Sequence, residues 1–163
     1  MNALDLRLLI LLMKDDILIR DYKTTDKSTV LELLRLNTPE YFSPEEENFF
    51  IHYLDNELEY YYILEVNKRT VGCGGFNFPE NATSARISWD ILHPDFHRRS
   101  LGSVLLNYRI EKLKHFPELR QIIVRTSQLV YKFYEKQGFK LTEVVENYWA
   151  KGFHLYQMEY INH

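Results

Sequence analysis

Apolar and polar positions follow two rhythms along this chain, one of period two and one close to 3.6, and their alternation divides it into elements. Ile17-Leu-Ile-Arg-Asp-Tyr22 is a run of strand formers. A helical spacing follows to about Leu36, with Val30, Leu33 and Leu34 on one face and Asp26 or Ser28 available as N-cap. Ser43-Pro-Glu-Glu46 has a capping residue, Pro at the first helical position and an acid three residues after the cap. It predicts a second helix to about Leu54, with Phe49, Phe50 and Tyr53 packed against a sheet. Glu59–Val66, Thr70–Phe78 and Ser84–Leu92 read as strands joined by turns at Asn67-Lys-Arg69 and Pro79–Ala82, an antiparallel meander. Glycines at 72, 74 and 75 thin the middle strand, as at a bulge or a close backbone approach.

After residue 100 the helical rhythm returns, with Leu101, Val104, Leu105, Tyr108 and Leu113 inward and an end near His115-Phe-Pro117. Gln121–Thr126 is a short strand of buried type, expected to run parallel to the one ending at Leu92. Ser127 can cap a last helix that Gly138 ends, and Lys140–Val145 and Gly152–Ile161 form a final strand pair. The predicted class is α+β, a mixed, mostly antiparallel sheet with helices on both faces.

With 163 residues, 45% hydrophobic, the chain can build one core, assigned to residues 14–163 as a single domain. Residues 1–13 form an N-terminal extension of uncertain status. Its apolar run Leu8–Met13 is far short of the ~20 residues of a membrane span. Neither a preceding basic region nor a cleavage site marks a signal peptide. Met13 can be a start, or the run covers an apolar surface, as in a homodimer; both alternatives stay open. No membrane association is expected.

A formal net charge of −3 implies no general attraction to nucleic acid. The single Cys73 cannot form an intramolecular disulfide, which fits a reducing cytoplasm, and its strand context makes it a buried bystander rather than a nucleophile. The six histidines lack ligand-like spacing, so no metal is expected. Local charge says more than the total. Between Arg35 and Lys68 stand eight acids and neither Lys nor Arg, whereas Arg86 to Lys140 carries eleven basic residues against five acids. Such a chain can hold anionic phosphates on one side and receive a protonated amine on the other, although solvated faces explain the same charges.

Ile91–Leu106 concentrates the chemistry. A strand hands over through a polar turn to a helix, leaving backbone N–H groups unpaired at the positive end of the helix dipole. Arg98 and Arg99 add charge there, and Gly102 permits close approach, so the stretch reads as an anion site suited to phosphate. His97-Arg-Arg-Ser-Leu-Gly-Ser103, preceded by Leu92-His-Pro94, resembles the Gln/Arg-x-x-Gly-x-Gly/Ala signature of the GNAT superfamily of acyl-CoA-dependent N-acetyltransferases. His97 stands where Gln or Arg is usual, and Ser100 where the first Gly is usual. A second segment, Phe133-Tyr-Glu-Lys-Gln-Gly-Phe139, follows the family's Tyr-Glu-x-x-Gly-Phe pattern, with Ser127 at its usual Asn and Val130 at its usual Ala. The two occur in the family's order, one helix and one strand apart.

The resemblance, over roughly Ile17 to Tyr160, implies a splayed central pair of parallel strands with the pantetheine arm of acetyl-CoA in the gap, near Leu92. It implies a pyrophosphate cradle from His97, Arg98, Arg99, Ser100, Leu101, Gly102 and Ser103, with Ser127 beside the cofactor. It also implies direct attack of a primary amine on the thioester, with Tyr134 protonating the departing sulfur. A phenol suits that task because it stays protonated at neutral pH; alternatively Tyr134 only packs beneath the cofactor. Asp90, a carboxylate inside an apolar strand, is the candidate base for the ammonium proton. Equally, Asp90 can pair with Arg86 or sit at the surface beside a bulge. Tyr131 is read as core or pocket wall. The acids from Glu40 to Glu59 suggest a cationic small molecule or a peptide amine as acceptor. The alternative function is a non-catalytic acyl-CoA-binding or sensing module of the same fold.

Overall fold

A computed structural model describes residues 14–161. One seven-stranded sheet runs in the order β1-β2-β3-β4-β5-β7-β6. Its strands are β1 Ile17–Asp21, β2 Tyr60–Val66, β3 Arg69–Asn77, β4 Ser84–Leu92, β5 Gln121–Thr126, β6 Phe139–Ala150 and β7 Phe153–Tyr160. Four α-helices, α1 Lys27–Leu36, α2 Glu46–His52, α3 Leu101–Leu113 and α4 Tyr131–Lys136, complete the mixed α+β fold. All strand pairs are antiparallel except β4 with β5.

The sheet separates two apolar layers. On one face Leu101, Leu105, Leu106, Ile110 and Leu113 of α3 pack on Leu64, Phe76, Ile87, Ile122 and Val124. On the other, Val30, Leu33 and Leu34 of α1 and Phe50 of α2 pack on Ile63, Cys73 and Ile91. The predicted α1 stripe is therefore the buried one. Asn67 and Lys68, both in the left-handed region (φ 50° and 66°), make the tight β2–β3 turn whose twist matches paired strands.

Several expectations need correction. Phe49 does not pack on the sheet; it is 63% exposed, while Phe50 and Tyr53 are buried. Val104 faces outward, and the inward stripe of α3 contains Arg109, whose exposure is 0%. Asp26 stands at the start of α1 without capping it, because its carboxylate is taken by the Lys23 N–H and by Arg20. Strand β6 runs on to Ala150 rather than ending at Val145. It is an edge strand with mostly exposed side chains and two register shifts, so no period-two pattern marks its second half. Residues 1–13, including the apolar run, lie outside the described residues.

Two irregularities of β4 position the site. First, Cys73 pairs with Ile91 and Gly75 with Ser88, so β4 carries one residue more than β3 between those pairs. Trp89, at φ 47°, absorbs this bulge. An inserted residue sends every following side chain to the opposite face. Ile87 accordingly belongs to the α3 layer and Ile91 to the α1 layer, and Asp90 turns toward α3. Second, the parallel β4–β5 ladder pairs Ser84–Ile87 with Gln121–Val124 and goes no further, though β4 continues to Leu92 and β5 to Thr126. The two strands part beyond that point. This is the expected splay.

Candidate active site

The gap between β4 and β5 opens into a cleft of about 1340 Å³. That exceeds the roughly 300–1,000 Å³ usual for one drug-sized ligand, leaving room for two molecules. Residues from both motifs line it: Leu92, His97, Arg98, Ser100, Leu101, Gly102 and Ser103 at one end, with Asp90, Ser127, Phe133 and Tyr134 along its wall.

At the start of α3 no side chain caps the helix, and the first backbone bond is Val104 N–H to Ser100 C=O at 3.1 Å. The N–H groups of the first turn therefore remain as donors toward the cleft. Leu101 is buried and anchors the turn, while Arg98, Arg99 and Ser100 are exposed. Arg99 lies 4.9 Å above the Phe96 ring and reaches Asp15 at 3.2 Å. A Cβ on Gly102 would meet the Phe133 ring at 3.3 Å, which explains the absence of a side chain there.

Ser100 adopts φ 61°, ψ 10°, the left-handed region where a Cβ costs about 1–2 kcal/mol. Its hydroxyl makes no capping bond in return. Ser100→Gly is thus expected to stabilise the fold by about 1 kcal/mol, a rise of roughly 2–4 °C in Tm for a domain of this size. Thermal unfolding followed by circular dichroism checks this, and an unchanged or lowered Tm would contradict it.

His97 does not point at the helix start. Its Nε2 lies 2.9 Å from the Leu92 carbonyl, which also accepts from Asn37 Nδ2 at 3.0 Å. The His93 N–H bonds back to Val71, so the Leu92 N–H and C=O, one residue earlier, face away from β3 and into the gap. Two side chains thus occupy the carbonyl, and the N–H stays exposed to the cleft. Ser127, at the end of β5, receives the Leu129 N–H on its hydroxyl at 3.3 Å and turns the chain into α4.

The centre of the wall is a polar cluster in an apolar setting. The Tyr134 hydroxyl donates to Asp90 Oδ2 at 2.5 Å, and Arg109 Nη2 forms an ion pair with Asp90 Oδ1. The fully buried guanidinium spends its other donors on backbone carbonyls, Nη1 on Gly75 at 3.0 Å and Nε on Leu105 at 3.2 Å. A Cβ on Gly74 would collide with Asp90 Oδ1 and come within 2.8 Å of Arg109 Nη1, so this glycine makes room for the pair. Burial, and next the Asp90 charge, push the Tyr134 phenol well above its usual value of 10.

Asp90 pairs with Arg109, not with Arg86, which points to the opposite face. Arg109 was missed by the reading from patterns. Its signal was present, since a charge at Leu101, Leu105, Arg109, Leu113 spacing interrupts an otherwise apolar stripe.

Of the acids expected to receive a cationic acceptor, Glu46, Glu57 and Glu59 line the cleft, and three others are held in ion pairs away from it. Glu47 pairs with Arg35, Asp55 with Lys27 and Glu65 with Arg20. Glu46 accepts the Ser43 N–H at 2.7 Å, and Glu59 accepts from Asn77 and Phe78. Tyr131 is half-buried, in ring contact with Tyr156. Among the described residues no group of three or more His, Cys, Asp or Glu side chains is gathered as for a metal, and no helix is long and apolar enough to cross a membrane.

Cys73 is buried, and burial pushes its thiol up to about 12. It should resist iodoacetamide at pH 8 at the rate set by unfolding; rapid native labelling would contradict its burial. Because the unfolded thiol ionises near 9 and the folded one near 12, its contribution is complete below pH 9 and lost as pH rises toward 12. A urea midpoint lower at pH 10.5 than at pH 8, by less in Cys73→Ala, is the expected result.

Residues 28–139 match the model of the acetyltransferase (GNAT) family. The chain belongs to that family. An amino-acid acetyltransferase of Aliivibrio fischeri is 29% identical over 126 residues, which is 74% of this chain and 26% of that protein. The chain thus spans about a quarter of that relative's length. Among solved structures, an aminoglycoside 6'-N-acetyltransferase complexed with coenzyme A superposes with TM-score 0.72 at 17% identity, covering 90% of this chain and 98% of the other. N-acetylglutamate synthase of Neisseria gonorrhoeae, complexed with coenzyme A and N-acetyl-glutamate, gives 0.68 at 17% identity, covering 91% and 36%.

Proposed function

We propose that this protein moves the acetyl group of acetyl-CoA directly to a primary amine, with Tyr134 as general acid. The carrying observation is the Tyr134 hydroxyl on the Asp90 carboxylate, in a strand gap that opens beside an uncapped helix start. Acetyl-CoA fits what is present. The free N–H groups of the α3 first turn, with Arg98, would hold its pyrophosphate, and the Leu92 N–H would meet the pantetheine arm; Arg99, held by Asp15 and Phe96, stands outside the residues that line the cleft. Ser127 stands further along the same cleft.

The amine nitrogen attacks the thioester carbonyl carbon, the C–N bond forms, and the tetrahedral intermediate collapses with cleavage of C–S. Tyr134 gives its proton to the departing sulfur, and Asp90 receives one from the nitrogen. Their mutual hydrogen bond then returns a proton to the phenol, so the pair ends as it began. Arg109 does not touch the reactants; it holds Asp90 in place.

The same hydrogen bond favours a second reading, the non-catalytic acyl-CoA-binding module, because a phenol proton spent on Asp90 is not aimed at a thiolate. Two measurements separate these. Calorimetry with acetyl-CoA should show binding, and its absence at millimolar ligand would remove both readings. Release of free thiol across a panel of primary amines should then show turnover; saturable binding with no amine-dependent release would leave the module alone.

A further inference from the structure

At the far end of the cleft two arginines stand without a carboxylate partner. Arg86 of β4 is in register with Ile123 of β5, and Arg125 lies two residues beyond Ile123, so both side chains leave the sheet on the same face. Both line the cleft. Among the described residues neither has an ion pair or a side-chain hydrogen bond, and Arg86 Nε is buried with no acceptor at all. Arg125 is braced by aromatic rings instead, 4.8 Å from the centroid of Tyr148 and 5.6 Å from that of Trp149. The opposing charge nearest in effect on Arg86 is the exposed Glu80, outweighed by burial and by Arg125, which together lower the guanidinium's proton affinity.

A half-buried guanidinium facing another, with an unused donor, is an unfavourable arrangement unless an anion completes it. That anion is not the pyrophosphate of the cosubstrate. Arg86 is six residues before Leu92 on an extended strand, roughly 20 Å at 3.3 Å per residue, and the chain reaches the helix start that would hold those phosphates only after Leu92. The acids on this side do not fill the need: Glu57 is met by His52 at 3.2 Å and Glu59 by Asn77 and Phe78.

We infer that the acceptor carries a carboxylate as well as its amine, and that Arg86 and Arg125 bind that carboxylate while the amine faces Asp90 and Tyr134. The acceptor class is therefore an amino acid or a similar small amino-carboxylate, not a polyamine. Arg86 offers the planar donor fork that matches a carboxylate, and Arg125, fixed by its two rings, supplies the second charge.

This rests on the N-acetyltransferase reading, so the test has one arm that needs no turnover. Matched pairs of an L-amino acid and its α-carboxamide are compared in the thiol-release assay and, with CoA present, by calorimetry. For the best pair the acid should exceed the amide by at least about 100-fold in kcat/KM. Arg86→Gln should raise KM for the acid and erase most of that ratio, with KM for acetyl-CoA unchanged and Arg86→Lys intermediate. Amides turned over as well as acids, or an acid-to-amide ratio that survives Arg86→Gln, would overturn the inference while leaving the acyltransferase reading intact. Arg86-dependent binding of acids without turnover would do the reverse. Absence of both binding and turnover for every acid tested would overturn the inference.

Discussion

Tyr134→Phe is expected to lower kcat by about 10²–10⁴-fold with little change in KM for acetyl-CoA. The substitution removes one oxygen from a ring held by Phe133 and Phe139 and leaves the ring itself in place. What is lost is the proton for the leaving sulfur and the donor to Asp90 Oδ2. The second loss also bears on stability, by about 1–3 kcal/mol for a partly buried acceptor left short of a donor. Activity should therefore be compared well below the variant's Tm. The pH profile gives an independent check. Because burial and Asp90 raise the phenol well above 10, it stays protonated as pH rises from 7 to 9.5, and the wild-type kcat should not fall there. Unchanged kcat in Tyr134→Phe would remove this hydroxyl from the mechanism.

Arg109→Met should destabilise the fold by about 3–5 kcal/mol, the usual cost of leaving one member of a buried ion pair alone. Against the roughly 5–15 kcal/mol typical of a domain, that is a large share. The side chain is fully buried and its donors meet Asp90, Gly75 and Leu105, so its removal leaves the Asp90 carboxylate without its counter-charge and takes a donor from each of two carbonyls. The double variant Arg109→Met/Asp90→Asn separates charge from packing. If the uncompensated carboxylate dominates, the double variant regains more than half of the loss in urea unfolding. If it is no more stable than Arg109→Met alone, the cost lies in the altered packing and the lost hydrogen bonds to Gly75 and Leu105.

The uncapped start of α3 was legible because it is local: a strand, a polar turn and a helical stripe follow one another in sequence. Tyr134 and Gly102 were legible for the same reason, each within one helical turn of its motif. The Phe133 ring that crowds a side chain at Gly102 was not, since the two helices, some 30 residues apart in the chain, meet only where both pack on the same face of the sheet. His97 illustrates the reverse case. It holds a phosphate-loop position in sequence, yet its ring turns back to the Leu92 carbonyl.

By itself the sequence determined the element order, the antiparallel meander, the single parallel crossover and the helix start at the cleft, because periodicity and capping act over a few residues. Which face each β4 side chain takes was decided only by the tertiary structure. The extra residue at Trp89 turns Asp90 toward Arg109 and Tyr134 and leaves Arg86 and Ser88 on the other side. That choice depends on how β4 registers against β3, 13 to 18 residues away along the chain, and on a glycine at 74 that gives an ion pair room. Such pairing between distant residues has no counterpart in the local rhythm of polar and apolar positions, and the chemistry of the cleft rests on it.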